Sequence, residues 1–339
     1  MNFDLDVKER NLKCLLQLYC AKDKLDDIFF MGNITFDNWV GELMSTINER
    51  QNDERNFRLK ICFRHLYDRA KVIYNVHLAV SLIIPIIALS AKTLELEYKD
   101  IILSISSGWI IIAMLLTIWE QKIRLKAVTL QERYDINVLG LKENETIMYK
   151  KVSIEEISLI VKKMKQGKNI DRIYYDGIEC SNNTKALLLA QRQNVLSDKI
   201  LRGKYCLFFW VLLISIVLFS IVVGIMLNQT VKGFLIEILI PLISLISFII
   251  QQIKKLSEEV KRNEQIGGLI ERDIRELNGS EKEIEISYLV KCREYQNYIF
   301  TKRLNGALIP NFIYRMFKNN HVNGKEINQS LTSEAGNIQ

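Results

Sequence analysis

The stretch that decides the fold runs from Tyr205 to Val231, YCLFFWVLLISIVLFSIVVGIMLNQTV, 27 residues without a formal charge. A helix rises about 1.5 Å per residue, so about 20 such residues cross a hydrocarbon core of about 30 Å. Three further lengths share its character. Ile73–Ala91 and Ile101–Trp119 carry no formal charge over 19 residues each, and Phe234–Ile253 carries only Glu237 over 20. A soluble protein could bury one such helix. Four of them, each ended abruptly by charge, predict an all-α integral membrane protein with four transmembrane helices. About nine residues, Lys92–Asp100, join the first two, and about six, Asn228–Gly233, join the last two. Connections this short make each pair an antiparallel hairpin.

The rest of the chain is strongly charged. Across 339 residues there are 46 Lys and Arg against 39 Asp and Glu, a net charge of +7, and the apolar fraction of 49% is gathered into the four lengths. That distribution excludes a simple soluble globule and a disordered chain. With 3 Pro and 15 Gly, collagen-like and Pro-rich classes are excluded, and so few helix breakers suit an all-α chain. None of Cys14, Cys20, Cys62, Cys180, Cys206 and Cys292 forms a CxxC pair or lies at zinc-ligand spacing from a His, so reduced thiols are expected. Met1–Arg10 has acids and no apolar core of a signal peptide.

Cations set the orientation. Arg64, Arg69 and Lys71 precede the first length, Lys122, Arg124 and Lys126 follow the second, Lys199, Arg202 and Lys204 precede the third, and Lys254, Lys255, Lys261 and Arg262 follow the fourth. The hairpin tips hold only Lys92, Lys99 and Lys232. Both termini and the middle segment are therefore expected in the cytoplasm, with almost no outer surface and an intracellular input. The organisation reads as an N-terminal extension (1–44), a cytoplasmic helix and first hairpin (45–119, spans about 73–91 and 101–119), and a helical linker region (120–204). A second hairpin (205–253, spans about 205–227 and 234–253), C-terminal cytoplasmic helices (254–318) and a loose tail (319–339) follow.

Gln51–Lys71 reads as a charged helix running into the first span. Ile253, Leu256, Val260, Asn263, Gly267, Ile270, Ile274 and Leu277 make a heptad seam leaving the fourth span. The seam packs either on its own subunit or as an oligomer-forming, force-transmitting stalk. Asn278-Gly279-Ser280 stops that helix, and a further helix is expected over about Glu281–Arg303. Arg50-Gln51-Asn52 before the first span and Arg192-Gln193-Asn194 before the third form a weak echo, as if the hairpins were repeats.

No Walker loop, GxGxxG, HExxH or GxSxG occurs, and His65, His77 and His321 are scattered. Nothing points to catalytic residues, a metal or a cofactor, and no enzyme activity is expected. The polar groups inside the spans are the local clue. Glu237, Ser244 and Gln251 are seven apart, with Pro241 and Phe248 between, so all five share one helical face. A carboxylate in hydrocarbon costs roughly 2.5–3.5 kcal/mol. Glu237 either reaches back to water at the outer end or joins a water-lined face between assembled subunits. Ser104, Ser107 and Gly108, and separately Ser220 and Gly224, are small-residue patches that let helices approach within or between subunits. Four helices fill their own centre, so a pore requires a homo-oligomer.

Several motifs stand in order along the chain. Ile47-Asn48-Glu49-Arg50-Gln51-Asn52 leads to His65-Leu66-Tyr67-Asp68-Arg69-Ala70-Lys71. Leu130-Gln131-Glu132-Arg133-Tyr134-Asp135 follows the second span, Tyr174-Tyr175 precedes Gln191-Arg192-Gln193-Asn194, and Leu201-Arg202-Gly203-Lys204-Tyr205 enters the third. Gln296-Asn297-Tyr298-Ile299-Phe300, Lys302-Arg303 and Ile309-Pro310-Asn311-Phe312-Ile313-Tyr314 come last. Over about residues 45–320 this series resembles the SMODS-associating four-transmembrane effectors of bacterial conflict systems. The resemblance implies a pore-forming effector encoded beside a nucleotidyltransferase. It would receive a cyclic or oligonucleotide second messenger during phage attack and permeabilise the bacterial inner membrane. It carries over no catalytic residues. Two departures stand out: residues 1–44, with Leu12, Leu15, Leu16 and Tyr19 on one side, precede the matched region, and Tyr174-Tyr175 stands where Trp-Tyr is commoner.

Arg50, Arg64, Arg69, Arg192, Arg202 and Arg303 are candidates for messenger phosphates, although topology and lipid headgroups demand cations at such positions anyway. The expected partners are the bilayer, further copies of the chain and the messenger, with no DNA or RNA. The competing readings are a membrane-tethered scaffold or adaptor and, less well matched, a small-solute transporter, for which only Pro85 and Pro241 hint at broken helices.

Overall fold

The computed structural model describes residues 46–93, 99–148, 152–164, 173–176, 178, 183–278 and 286–316, and all regular structure among them is helical. The expectations for the N-terminal extension, the Lys92–Asp100 turn in part, the Asn278-Gly279-Ser280 stop in part and the tail fall outside the described residues.

Thr46 opens α1 (Ile47–Asn52) with a capping box: its hydroxyl accepts from the Glu49 amide, and its own amide donates to the Glu49 carboxylate. Asp53 then accepts from the amides of Arg55 and Asn56, starting α2 (Glu54–Thr93). At 40 residues, α2 joins the predicted charged helix and the first apolar length into one rod. Its antiparallel partner is α3 (Lys99–Leu139), which stops where Gly140 takes φ +70° and the Leu141 amide donates back to the Ile136 carbonyl. In α4 (Ile154–Met164), Ile157, Ile160 and Val161 form the buried stripe.

The second hairpin begins with α5 (Asn183–Met226), 44 residues long, which likewise runs from charged into apolar sequence. After the tip, one helical turn (Val231–Gly233) and a π-helical segment (Phe234–Leu239) lead into α6 (Ile240–Asn278). Pro241 lacks the amide that the residue 237 carbonyl would accept in a regular helix, and the backbone widens over the turn before it. The axis bends by 64° across this break. Gly224 on α5 faces the Phe234 ring so closely that a Cβ there would lie 2.6 Å from it. This small residue therefore serves close packing within one chain. Finally α7 (Ile286–Asn305) and the short α8 (Asn311–Met316) fold back on the charged parts of the long helices.

The molecule has two halves. In the charged half, Phe63, Leu66, Leu130, Tyr134, Leu188 and Ile299 belong to one core. The heptad seam is committed here: Leu256, Asn263, Ile270 and Ile274 are almost fully buried within the chain itself, so it is no free stalk. In the apolar half, Phe209, Ile238, Leu242, Leu245 and Ile249 pack inward with Leu78, while Ile110, Ile111, Leu115, Leu218, Phe219 and Val222 are exposed at 51–67%. Two of the described helices, Glu54–Ile87 and Thr184–Met226, are long and apolar enough to cross a membrane, and the bent pair Val231–Leu239 with Leu242–Leu277 makes a third if taken as one span. Among the described residues, two polar links join α2 and α3 inside this half: the Trp109 indole donates to Ser81 at 3.0 Å, and Thr117 meets His77 Nδ1 at 3.4 Å.

A candidate ligand cavity beside the apolar half

The motifs quoted above converge on one buried polar network. The Gln51 side-chain oxygen accepts from the backbone amides of both Tyr174 and Tyr175 at 3.0 Å, and its amide donates back to the Tyr175 carbonyl. The Tyr175 hydroxyl donates to Asp135 Oδ1 at 2.8 Å and accepts from the Asn194 amide. Asp135, fully buried, also accepts from Gln296 and from Arg303 Nη1 at 2.5 Å. Burial opposes the charge on Arg303, but Asp135 outweighs it and holds the guanidinium firmly protonated. Glu132, one turn away, accepts from Arg293 and Gln296; burial first, then Asp135, pushes its carboxyl above the usual range.

A second cluster sits closer to the apolar half and centres on Asp198. It pairs with Arg202 at 2.5 Å and Lys302 at 3.0 Å and accepts from Asn263 at 2.9 Å, tying α5, α6 and α7 together. Burial alone would raise the Asp198 pKa, but Arg202 and Lys302 more than reverse this and keep it below the carboxylate range. Arg202 also pairs with Glu259 and donates to the Ala307 carbonyl, while Glu259 accepts from the Ala307 amide. Arg124, itself paired with Glu120, donates to the Gly306 carbonyl. The 306–310 connection is thereby clamped between the hairpins.

Between the two clusters lies a cavity of about 730 Å³. One face of α2 contributes Phe63, Arg64, Tyr67, Asp68 and Lys71, whose three- and four-residue spacing aims them the same way. Opposite stand Tyr174, Asp198, Arg202, Lys302, Arg303 and Tyr314. The volume falls within the roughly 300–1,000 Å³ of small-molecule sites. Lys71 and Arg202 lie two and three residues before Ile73 and Tyr205, so the cavity ends where the apolar lengths begin. Phe63, Tyr134 and Tyr175 surround the Tyr174 ring edge to face, at centroid distances of 6.2, 5.6 and 4.9 Å, making an aromatic wall. Tyr67 donates to Gln131, whose amide donates to the Tyr174 hydroxyl, fixing both rings. Such a lining of cations and aromatic faces is suited to an anion that carries flat rings.

Of the six arginines singled out in the sequence, Arg64, Arg202 and Arg303 line this cavity. The other three stand apart from it. Arg50 donates to the Val138 carbonyl at 2.7 Å and packs over Gly140. Arg192 pairs with Glu271 at 2.8 Å, and Arg69 is exposed. The Arg-Gln-Asn echo is not a structural repeat, since Arg50 lies in α1 before its long helix and Arg192 lies within one. Glu237, Ser244 and Gln251 are all exposed, on the side of the fourth apolar length away from buried Ile238, Leu242, Leu245 and Ile249. Ser104 is exposed, and the side chain of Ser107 lies outside what is described. Sequence reasoning passed over Lys71, Lys302, Tyr67 and Tyr314 as ligand residues. The signal was present in the mixed charged and aromatic stripe 63-64-67-68-71, which fits neither an apolar core face nor a solvated one.

Residues 45–330 match the SMODS-associating 4TM effector domain. A probable CBASS effector molecule of Bacillus cereus (strain VD146) is 26% identical over 274 residues, covering 78% of this chain and 91% of that protein. No solved structure matches the chain. With the domain match spanning all the described helices, the chain belongs to the SMODS-associating 4TM effector family.

Proposed function

We propose that this chain is the membrane-acting effector of a nucleotide-signalled anti-phage system, which permeabilises the bacterial inner membrane when activated from the cytoplasm. Family membership and the similarity to a probable CBASS effector support the effector role. One observation carries the membrane part of the reading: α2, α3 and α5 continue unbroken from the charged half into lengths with outward apolar side chains, and α6 extends the fourth such length back into the charged half. We read these as four spans in two hairpins. The charged half and both termini then lie in the cytoplasm, as the flanking Lys and Arg require.

A single copy fills its own centre, because Phe209, Ile238, Leu242 and Leu245 are buried there. A water path would therefore run between copies, along the exposed Glu237, Ser244 and Gln251. No substrate is turned over in this reading; the chain converts ligand binding into leakage. The test is membrane-potential dye fluorescence in cells expressing the chain with a messenger-making nucleotidyltransferase. Activated cells depolarise before they lyse, and Glu237→Leu or Ser244→Leu changes the rate. Activated cells that arrest with full membrane potential would overturn the pore and leave an adaptor.

A further inference from the structure

Two of the cavity's cations stand out by their partners. Arg64, half-buried, has no carboxylate within ion-pair distance among the described residues. Lys71 donates to the neutral side-chain oxygen of Asn311 at 3.0 Å and lies 4.5 Å from the centroid of the Tyr314 ring. Asp68, one turn back, acts on Lys71 only through space, and burial pulls the Lys71 pKa down to about 8. Arg64 and Lys71 are two turns apart on one face of α2. Across from them Lys302, its side chain 7% exposed, has Asp198 as its one ion-pair partner among the described residues, and the aromatic wall stands beside them. Cations that are desolvated but not neutralised by carboxylates invite an anion from outside the chain.

We propose that this cavity is the receptor site for a nucleotide phosphate, with the phosphates on Arg64 and Lys71 and a base against the Tyr67–Tyr174 wall. This rests on the reading of the chain as a nucleotide-signalled effector. Every base has a π-face, so stacking gives affinity, and the cations fix the phosphates. The same site contains its relay. A phosphate that reaches Lys302 competes with Asp198, the carboxylate that joins α5, α6 and α7. Occupancy therefore loosens the clasp at the point where α5 enters the apolar half.

Titration calorimetry on the full-length protein in detergent micelles tests this. The probes are cyclic di-AMP, cyclic di-GMP, 3′,3′-cyclic GMP–AMP and cyclic triadenylate, with inorganic phosphate as the simple anion. The result expected is that one cyclic nucleotide binds, that Arg64→Gln and Lys71→Gln each weaken it by roughly tenfold or more, and that Arg69→Gln, off the cavity, does not. Ligand-free melting curves confirm that the variants are folded. A nucleotide that binds wild type and both variants equally overturns the cavity as its site while leaving nucleotide signalling intact. If no cyclic nucleotide binds, and wild type but not Arg64→Gln retains phosphatidylglycerol from nanodiscs, the site is a lipid-headgroup seat and both readings fall.

Discussion

Within the single helix α2, two halves follow opposite rules. Along its first turns Asn56 and Lys60 are buried, at 6% and 0% exposure, among polar partners and rings. Past Lys71, Val72, Val76 and Ile83 stand 49–63% exposed. The same inversion holds for the molecule. The charged half buries carboxylates and cations in pairs whose partners are far apart in sequence, so its geometry is specified by hydrogen bonds. Among the described residues the apolar half shows fewer such links, and its outer apolar faces are uncovered in the single chain. Polar specification lives in the charged half, and large uncovered apolar faces live in the other.

The sharpest way to break this contrast is Asp135→Ala. It strands buried Arg303 and removes the acceptor of Tyr175 and Gln296, which should cost about 3–5 kcal/mol. Fluorescence-detected size-exclusion melting should show little folded protein, and a near-wild-type midpoint would mean the network does not hold the charged half. Next comes a matched pair. Leu188→Ala, fully buried, should cost about 2–5 kcal/mol, whereas Ile111→Ala, 67% exposed, should stay within about 0.5 kcal/mol in detergent. Equal effects in thermal melts would dissolve the comparison. Tyr175→Phe leaves Asp135 and Asn194 each short of a partner and should cost about 1–3 kcal/mol, read from the same melts.

A further modest effect is one of pH. The pKa of Lys71 is lowered from 10.5 to about 8 by burial, opposed by Asp68. A depressed folded-state value means that its contribution to stability is fully present above 10.5 and is lost as pH falls through about 8. Ligand-free wild type should therefore gain roughly 1–1.5 kcal/mol relative to Lys71→Met between about pH 7 and 9. Melting curves of the two proteins that run parallel across that range would show that Lys71 is not desolvated.

The helices were legible in the sequence because their signals are local: uncharged lengths, a heptad seam and charge-flanked ends. The fate of the seam was legible only as a choice, since a 3-4 repeat does not say whose surface covers it. The arginines were the harder part. The partner of Arg303 is 168 residues away and that of Arg192 is 79, and no periodicity encodes such distances. Their positive charge satisfied the orientation rule whether or not they faced a cavity. The π-helical segment was equally hidden. Pro241 announced a disturbance, but neither the π-helical widening before it nor the close approach of Phe234 to Gly224 across the hairpin is written in a local pattern.

Asp198 on α5 joins three helices through Lys302 on α7 and Asn263 on α6, with Arg202 one turn along its own helix. A rivet shared by three plates does not loosen one plate at a time. Its release should free all three in a single event, visible as synchronous deuterium uptake along α5, α6 and α7 rather than a staggered one. An effector that must stay silent until it is called is well served by such a fuse: unmoved by small disturbances, and complete once it goes.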